Sequence, residues 1–258
     1  MRWTQFAAKG GRFIKNLTGS FVGSDRQRYQ SRHNTLRMLA NAWDLRVYNH
    51  SLYWFDDQQY REMWSRFPEA NAGIAERRYN LFHLSRSVAD LEGDTAECGV
   101  LHGAGSHIIM SAAGGASTHH IFDSFEGLSE PGTEDETTAL TPYVWKKHDL
   151  SVPEERVRRN LAAFGDRVAY YKGWIPTRFN EVADRRFKLV HIDVDLYQPT
   201  YDALAFFYER MVPGGLIVCD DYGSTICPGA KQAFDEYMQD RPEAIVHLTT
   251  GQGFIAKR

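Results

Sequence analysis

Beyond residue 94 the chain sets short apolar runs between longer segments whose apolar positions recur at helical spacing. Short apolar runs bounded by turn residues read as strands buried on both faces, and their alternation with amphipathic helices reads as a parallel sheet with crossover helices. Five strands are predicted: 95–100, 119–125 (HHIFDSF), 167–172 (RVAYYK), 188–193 (KLVHID) and 216–219 (LIVC). Leu204, Phe207, Tyr208 and Met211 fall at i, i+3, i+4 and i+7, which predicts a helix over 200–211 with one buried face. Pro213-Gly214-Gly215 is expected to end it. Another helix is expected near Glu154, with Ser151 as N-cap and Glu154 and Glu155 in its first turn. The final stretch, AIVHLTT-GQG-FIAK, reads as an antiparallel hairpin. These elements predict a Rossmann-like α/β domain over 91–258, with a mostly parallel seven-stranded sheet. Residues 1–90 read differently, as a helical extension rich in Arg and aromatics, punctuated by Trp43, Trp54, Trp64, Phe67 and Pro68.

Composition narrows the class. With 258 residues, 43% hydrophobic and 24% charged, the chain has ordinary globular usage and needs no disulfide or zinc staple. A net charge of −3 argues against a dedicated nucleic-acid binder. The charge is uneven, however. Residues 1–50 carry nine Lys/Arg against Asp25 and Asp44, or +7, which leaves −10 on the other 208 residues. Such a basic arm is either a solvated surface or a contact for an acidic partner, a second subunit or a membrane surface. Cys98, Cys219 and Cys227 form no CxxC pair and no zinc spacing, which fits a reducing compartment. No apolar run approaches the roughly 20 residues of a membrane span. The start lacks the apolar core of a signal peptide, so a cytoplasmic location is expected.

Three clusters carry chemistry. In ECGVLHGAGS, small residues follow the first strand, with Gly99, Gly103 and Gly105 spaced G-x-x-x-G-x-G. This is not the dinucleotide fingerprint G-x-G-x-x-G, and Glu97 ahead of it would repel a pyrophosphate. A cationic ligand, ammonium or sulfonium, suits it better; a purely structural turn is the alternative. Asp123 ends the second strand, where an acid binds the two ribose hydroxyls of a nucleoside cofactor or forms an Asx turn. Asp193 ends the fourth strand, and Asp220-Asp221 end the fifth. Sequential strands joined by one helix are often neighbours, so the three carboxylates converge at the rim of the sheet. Together they call for a hard cation such as Mg²⁺, Mn²⁺ or Ca²⁺, unless they cap helices or pair with Arg. His191, two residues before Asp193, reads as a buried strand residue that supports them.

ECGVLHGAGS, FDSFEG, VPEERVRRNLAAFG, YKGW and IDVDLYQPTYDALAFFYERMVPGGLIVCDDYG, in this order across residues 70–258, resemble the macrocin/mycinamicin-type O-methyltransferases, the TylF/MycF family. The resemblance implies a class I S-adenosylmethionine (SAM) methyltransferase fold and a homo-oligomer. It implies Mg²⁺- or Mn²⁺-dependent methylation of a sugar hydroxyl on a small glycosylated natural product. By position, Glu97, Gly99, Val100, Gly103 and Ser106 would line the methionine end of SAM, with Asp123 and Ser124 at the ribose. Lys172, Gly173 and Trp174 would lie along the adenine. Asp193, Asp220 and Asp221 would hold the metal, Asp193 thereby acting in catalysis. The family has a histidine base in the loop after the second strand, which implies His148, with Asp149 as the alternative. His102 and His107 in the glycine loop depart from the family pattern. The polar stretch 129–147 is expected to be either a lid or a solvated loop. Residues 1–90 are expected to help form the acceptor pocket and to join subunits. Two other classes compete: a GT-A glycosyltransferase with Asp193-Val194-Asp195 as its DxD, which leaves Glu97 and Asp220-Asp221 unexplained, and a non-catalytic SAM-fold scaffold, which leaves the carboxylates without a role.

Overall fold

The computed structural model describes residues 3–43, 53–69, 75–115, 117–138 and 142–258. The chain forms two compact units, Met1–Arg61 and Glu62–Arg258. The expected boundary at 90/91 falls inside the second unit, because the helix ahead of the first strand packs on the helix that follows it.

The first unit contains α1 (Trp3–Gly19), α2 (Asp25–Ala42) and a single turn, α3 (Tyr53–Asp56). Ser24 and Gln27 form a capping box on α2, with Gln27 Oε1 accepting the Ser24 N–H at 2.8 Å. Part of the basic arm, residues 1–2 and 44–50, lies outside the described residues.

The chain passes into the second unit along α4 (Gln58–Trp64) and continues through α5 (Ala75–Ser87), β1 (Asp94–Cys98), α6 (Ala104–Ala112) and β2 (His119–Asp123). It goes on through α7 (Glu154–Asn160), β3 (Val168–Lys172), β4 (Phe187–Ile192), α8 (Tyr197–Phe207) and β5 (Met211–Cys219). It ends in α9 (Pro228–Met238), β6 (Val246–His247) and β7 (Gly253–Ala256). The sheet order is β3-β2-β1-β4-β5-β7-β6, parallel through β5, with β7 antiparallel to β5 and β6 antiparallel to β7. All six residues of β4 are buried, as expected of a central strand covered by helices on both faces. The order reverses between β1 and β4, which opens a crevice at the strands' carboxyl ends. Register aligns Glu97 with His191 and Cys98 with Ile192, while Ile192 pairs with Cys219. Asp193 N–H to Cys98 O and Asp220 N–H to Ile192 O, both 2.9 Å, carry the ladder one residue further and fix the acids at the rim.

Several local expectations change. Pro213-Gly214-Gly215 lies inside β5 instead of ending a helix; the pairing jumps from Phe187↔Met211 to Leu189↔Leu216 across an irregularity that accommodates it. The preceding helix starts earlier, at Tyr197, and ends in a 3₁₀ turn, Tyr208–Arg210. Its start is set from afar, since Asp135 Oδ1 accepts the Tyr197 N–H at 2.8 Å. Pro199 falls in the first turn, where its missing N–H costs no helical bond. Pro153, not Ser151, occupies the N-cap of α7. Among the described residues no helix is long and apolar enough to cross a membrane.

His119 on β2 is fully buried between Thr95 Oγ1 (2.8 Å) and Ser106 Oγ (2.9 Å). Burial, with the neighbouring His120 and His191, pushes it from 6.5 down to about 3. The folded protein therefore keeps His119 neutral while the unfolded chain protonates it below about pH 6.5, so this contribution to stability falls as pH drops from 6.5 towards 3. One proton of linkage is worth about 1.4 kcal/mol per pH unit. Urea denaturation is expected to lose about 1.4 kcal/mol less between pH 7.5 and 5.5 in His119→Gln than in the unsubstituted protein; equal losses would contradict the buried neutral imidazole.

Candidate active site

A cavity of about 350 Å³ opens at the carboxyl ends of β1, β2, β4 and β5. Backbone proximity builds its floor. Gly99 takes φ +78°, and a Cβ there would stand 1.9 Å from the Asp193 carbonyl oxygen, so only glycine lets the β1 loop cross the end of β4. Gly105, in the first turn of α6, leaves room for the Glu97 side chain, whose Oε1 would lie 1.9 Å from an added Cβ.

Glu97 is 1% exposed, yet it is fully partnered. Oε2 accepts the Ser106 hydroxyl, and Oε1 accepts from His191 Nδ1 at 2.8 Å. His191 Nε2 faces Asp220 Oδ1 at 3.4 Å. Burial opposes charge on this imidazole, but hydrogen bonds to Asp220 and Glu97 lift its pKa well above its ordinary value, and its ring bridges the two acids.

Asp123 accepts the Val100 N–H at 2.8 Å and the Phe125 N–H at 2.6 Å. It thus forms an Asx turn and lines the cavity, and burial raises its pKa despite those bonds. Glu97, Gly99, Val100, Asp123, Ser124 and Trp174 all stand on the wall. Gly103, Ser106 and Gly173 do not. Gly103 is the left-handed N-cap of α6 facing Leu161 and Val157, Ser106 is buried behind Glu97, and Gly173 faces Thr177 and Arg178.

Asp193, Asp220 and Asp221 line the opposite side with a fourth acid, Asp195, which sequence reasoning treated only as part of a DxD, but the close groupings divide the expected trio, Asp193 and Asp220 falling in one and Asp221 in the other. Ligand atoms of His191, Asp193 and Asp220 lie within 4.8 Å of one another, as do those of Asp195, Asp221 and Cys227. Burial, then Asp220 and Asp221, push Asp193 well above the carboxylate range. Burial and Asp221 push Asp195 up to about 7. Burial and Asp220 raise Asp221, whereas Asp220 is held below its usual value, against burial, by His191 and Arg77. Arg77 of α5 donates to Asp220 Oδ2 at 2.7 Å and also reaches Asp221. One Arg in an Arg-rich helix carries no sequence signal that would single it out.

His148 and Asp149 are not on the wall. His148 sits exposed in a turn at φ +71°, with Nδ1 against the Glu126 carbonyl at 2.9 Å, and Asp149 Oδ2 accepts the Lys146 N–H at 2.9 Å. His102 does line the cavity, whereas His107 is buried against the Met63 carbonyl. The 129–147 segment, of which 139–141 lie outside the described residues, is pinned by Asp135 to Gly132 and Tyr197 and by Trp145 Nε1 to the Ile226 carbonyl at 2.7 Å.

The family model described as macrocin-O-methyltransferase (TylF) matches residues 13–247. The chain belongs to that family. A Streptomyces olivaceus 8-demethyl-8-(2,3-dimethoxy-alpha-L-rhamnosyl)-tetracenomycin-C 4'-O-methyltransferase is 34% identical over 54% of this chain and 56% of its own. A Streptomyces niveus demethyldecarbamoylnovobiocin O-methyltransferase is 30% identical over 57% and 59%. The chain thus spans less than two thirds of these two curated relatives. A Micromonospora griseorubida mycinamicin III 3''-O-methyltransferase is 27% identical over 70% and 75%. The solved O-methyltransferase NovP superposes with a TM-score of 0.59 at 25% identity, over 76% of this chain and 87% of that one. The sheet of this TylF-family chain is therefore the class I SAM methyltransferase sheet, as the resemblance implies.

Helix propensity alone makes Gly105→Ala stabilising by about 1 kcal/mol. The added methyl would instead displace Glu97 from His191, at a cost of roughly 1–3 kcal/mol for a buried charged partner. Net destabilisation in urea is expected; a gain in stability would refute this placement of Glu97.

Proposed function

We propose that this TylF-family chain is a SAM-dependent O-methyltransferase acting on a sugar hydroxyl of a small glycosylated natural product. The observation that carries the reading is the wall itself: six carboxylates (Glu97, Asp123, Asp193, Asp195, Asp220 and Asp221) share it with two arginines, Arg77 and Arg78, at the switch point of a methyltransferase sheet. Such a surface favours a sulfonium-bearing cofactor over a pyrophosphate. The names of the relatives support the acceptor class, since one is a 4'-O-methyltransferase of a rhamnosyl-tetracenomycin and another a 3''-O-methyltransferase of mycinamicin III.

In this reading Glu97, Gly99 and Val100 meet the methionine end of SAM, Asp123 and Ser124 the ribose, and Trp174 the adenine. The four aspartates also fit a hard divalent cation, because they offer carboxylate oxygens and Asp221 Oδ2 is buried without a hydrogen-bond partner. Asp193, Asp220 and Asp221 would hold Mg²⁺ or Mn²⁺, which when bound makes a chelated hydroxyl more acidic. His191 keeps Glu97 and Asp220 oriented. Asp195 takes the place expected for His148 as the proton acceptor: it stands on the wall, and its Oδ1 meets only a weak donor, Cys227 Sγ, at 3.4 Å. Holding the acceptor in line with the methyl group supplies the remainder of the rate.

The reading also gives residues 1–90 a part in the acceptor wall, supported by Arg77, Arg78 and Leu81 of α5, and takes the enzyme as a homo-oligomer joined through its basic N-terminal unit. A cytoplasmic setting suits its three buried, unpaired cysteines.

Calorimetry is expected to show SAM binding that weakens at least roughly tenfold in Glu97→Gln. Labelled methyl transfer to glycosylated acceptors should stop with EDTA and return with Mg²⁺. Asp195→Asn should lower it by on the order of 100-fold, and His148→Ala by less than about threefold. Activity that survives complete metal removal would overturn the role of the acids; stabilisation by UDP with Mn²⁺ but not by SAM would overturn the methyltransferase reading.

A further inference from the structure

The carboxylate pair after β5 already has a cation against it. Arg77 Nη1 donates to Asp220 Oδ2 at 2.7 Å and lies 3.3 Å from Asp221 Oδ1. Its side chain is only 18% exposed, and its Nε donates to the Thr250 carbonyl at 3.2 Å in the β6–β7 turn. The guanidinium is thus held through Nε and Nη1. Asn80, one turn along α5, donates to Thr250 Oγ1 at 2.8 Å and Gln252 Oε1 at 3.1 Å. The Gln252 amide in turn donates to the Arg77 carbonyl at 3.3 Å and to Asp220 Oδ1 at 2.7 Å. Helix α5, the β6–β7 turn and Asp220 therefore form one hydrogen-bonded unit with Arg77 at its centre. Beyond it, Asp221 Oδ2 stays buried and without a hydrogen-bond partner.

We propose that Arg77 is a tethered cation that competes with the divalent ion for Asp220 and Asp221, so that ion binding requires the guanidinium to give up at least one carboxylate. This rests on the reading above that these acids hold a divalent ion. The argument is one of charge and coordination. Oxygens bound to a guanidinium have fewer lone pairs for an ion, and a fixed positive charge a few ångströms from a doubly charged one repels it strongly even at an effective dielectric near 20. Without Arg77, four acids would face one another with one guanidinium fewer among them, so the tether keeps the cluster paired when no ion is bound. It also sets the ion concentration at which the site fills. A role confined to orienting the acids has the opposite consequence: its loss would weaken ion binding.

The signs differ, so one titration decides. Full-length protein and Arg77→Met are titrated with Mn²⁺ alone, by calorimetry and by the electron paramagnetic resonance of free Mn²⁺, with circular dichroism to check the fold. Arg77→Met is expected to bind Mn²⁺ at least tenfold more tightly than the unsubstituted chain. Arg77→Lys, which keeps the charge and the aliphatic stem, is expected within about threefold of the unsubstituted value, and it keeps the test open if the Met variant does not fold. Equal or weaker binding in Arg77→Met overturns the proposal while leaving the ion site intact, as does tightening in Arg77→Lys as large as that expected for Met. If Mn²⁺ binds to none of the three, the ion-site reading falls and the competition with it.

Discussion

The site hangs on a buried histidine. His191 stands next to the carboxyl end of the central strand β4, with Glu97 of β1 on one ring nitrogen and Asp220, just past β5, on the other. Three neighbouring strands thereby meet at one ring. The arrangement gives both buried carboxylates a hydrogen-bond partner, and an unpaired buried charge would cost several kcal/mol. It also extends backwards, because Glu97 accepts from Ser106, and Ser106 meets the neutral His119. A polar chain of this length is tolerable in a protein interior only when each member is satisfied.

Around that chain, close backbone approach decides what can be reached. Gly99 brings the β1 loop onto the Asp193 carbonyl, and Gly105 lets α6 sit over the Glu97 carboxylate. The crevice at the strand-order reversal is thus floored by main chain and acid, while Asp123 clips the loops after β1 and β2 together through two backbone N–H groups. Opposite, the hairpin that closes the sheet delivers Gln252 and the Thr250 carbonyl to Asp220 and Arg77. The antiparallel ending is therefore part of the site.

Much of this was legible beforehand. Continuous apolar runs marked the central strands because both faces of a parallel sheet are covered, and acids at strand ends pointed to the rim because ligands bind there. What misled was local. Pro213-Gly214-Gly215 looks like a helix stop but is an irregular stretch of β5, since pairing partners on both sides override a turn propensity. Ser106 has a residue type suited to a cofactor wall, yet the first turn of α6 rotates it behind Glu97. His148 has suitable chemistry in the expected loop, but a left-handed turn and the Glu126 carbonyl hold it off the wall.

The amino-acid sequence by itself determined the strand pattern, the sheet with its hairpin, and which carboxylates end which strands, because periodicity and residue type follow from burial alone. Only the tertiary structure decided which of those carboxylates are paired and with what. Arg77, Asn80 and Gln252 lie 143, 170 and 32 positions from the groups they hold. Contacts across such separations are set by strand register and helix rotation, and nothing in a local spacing encodes them.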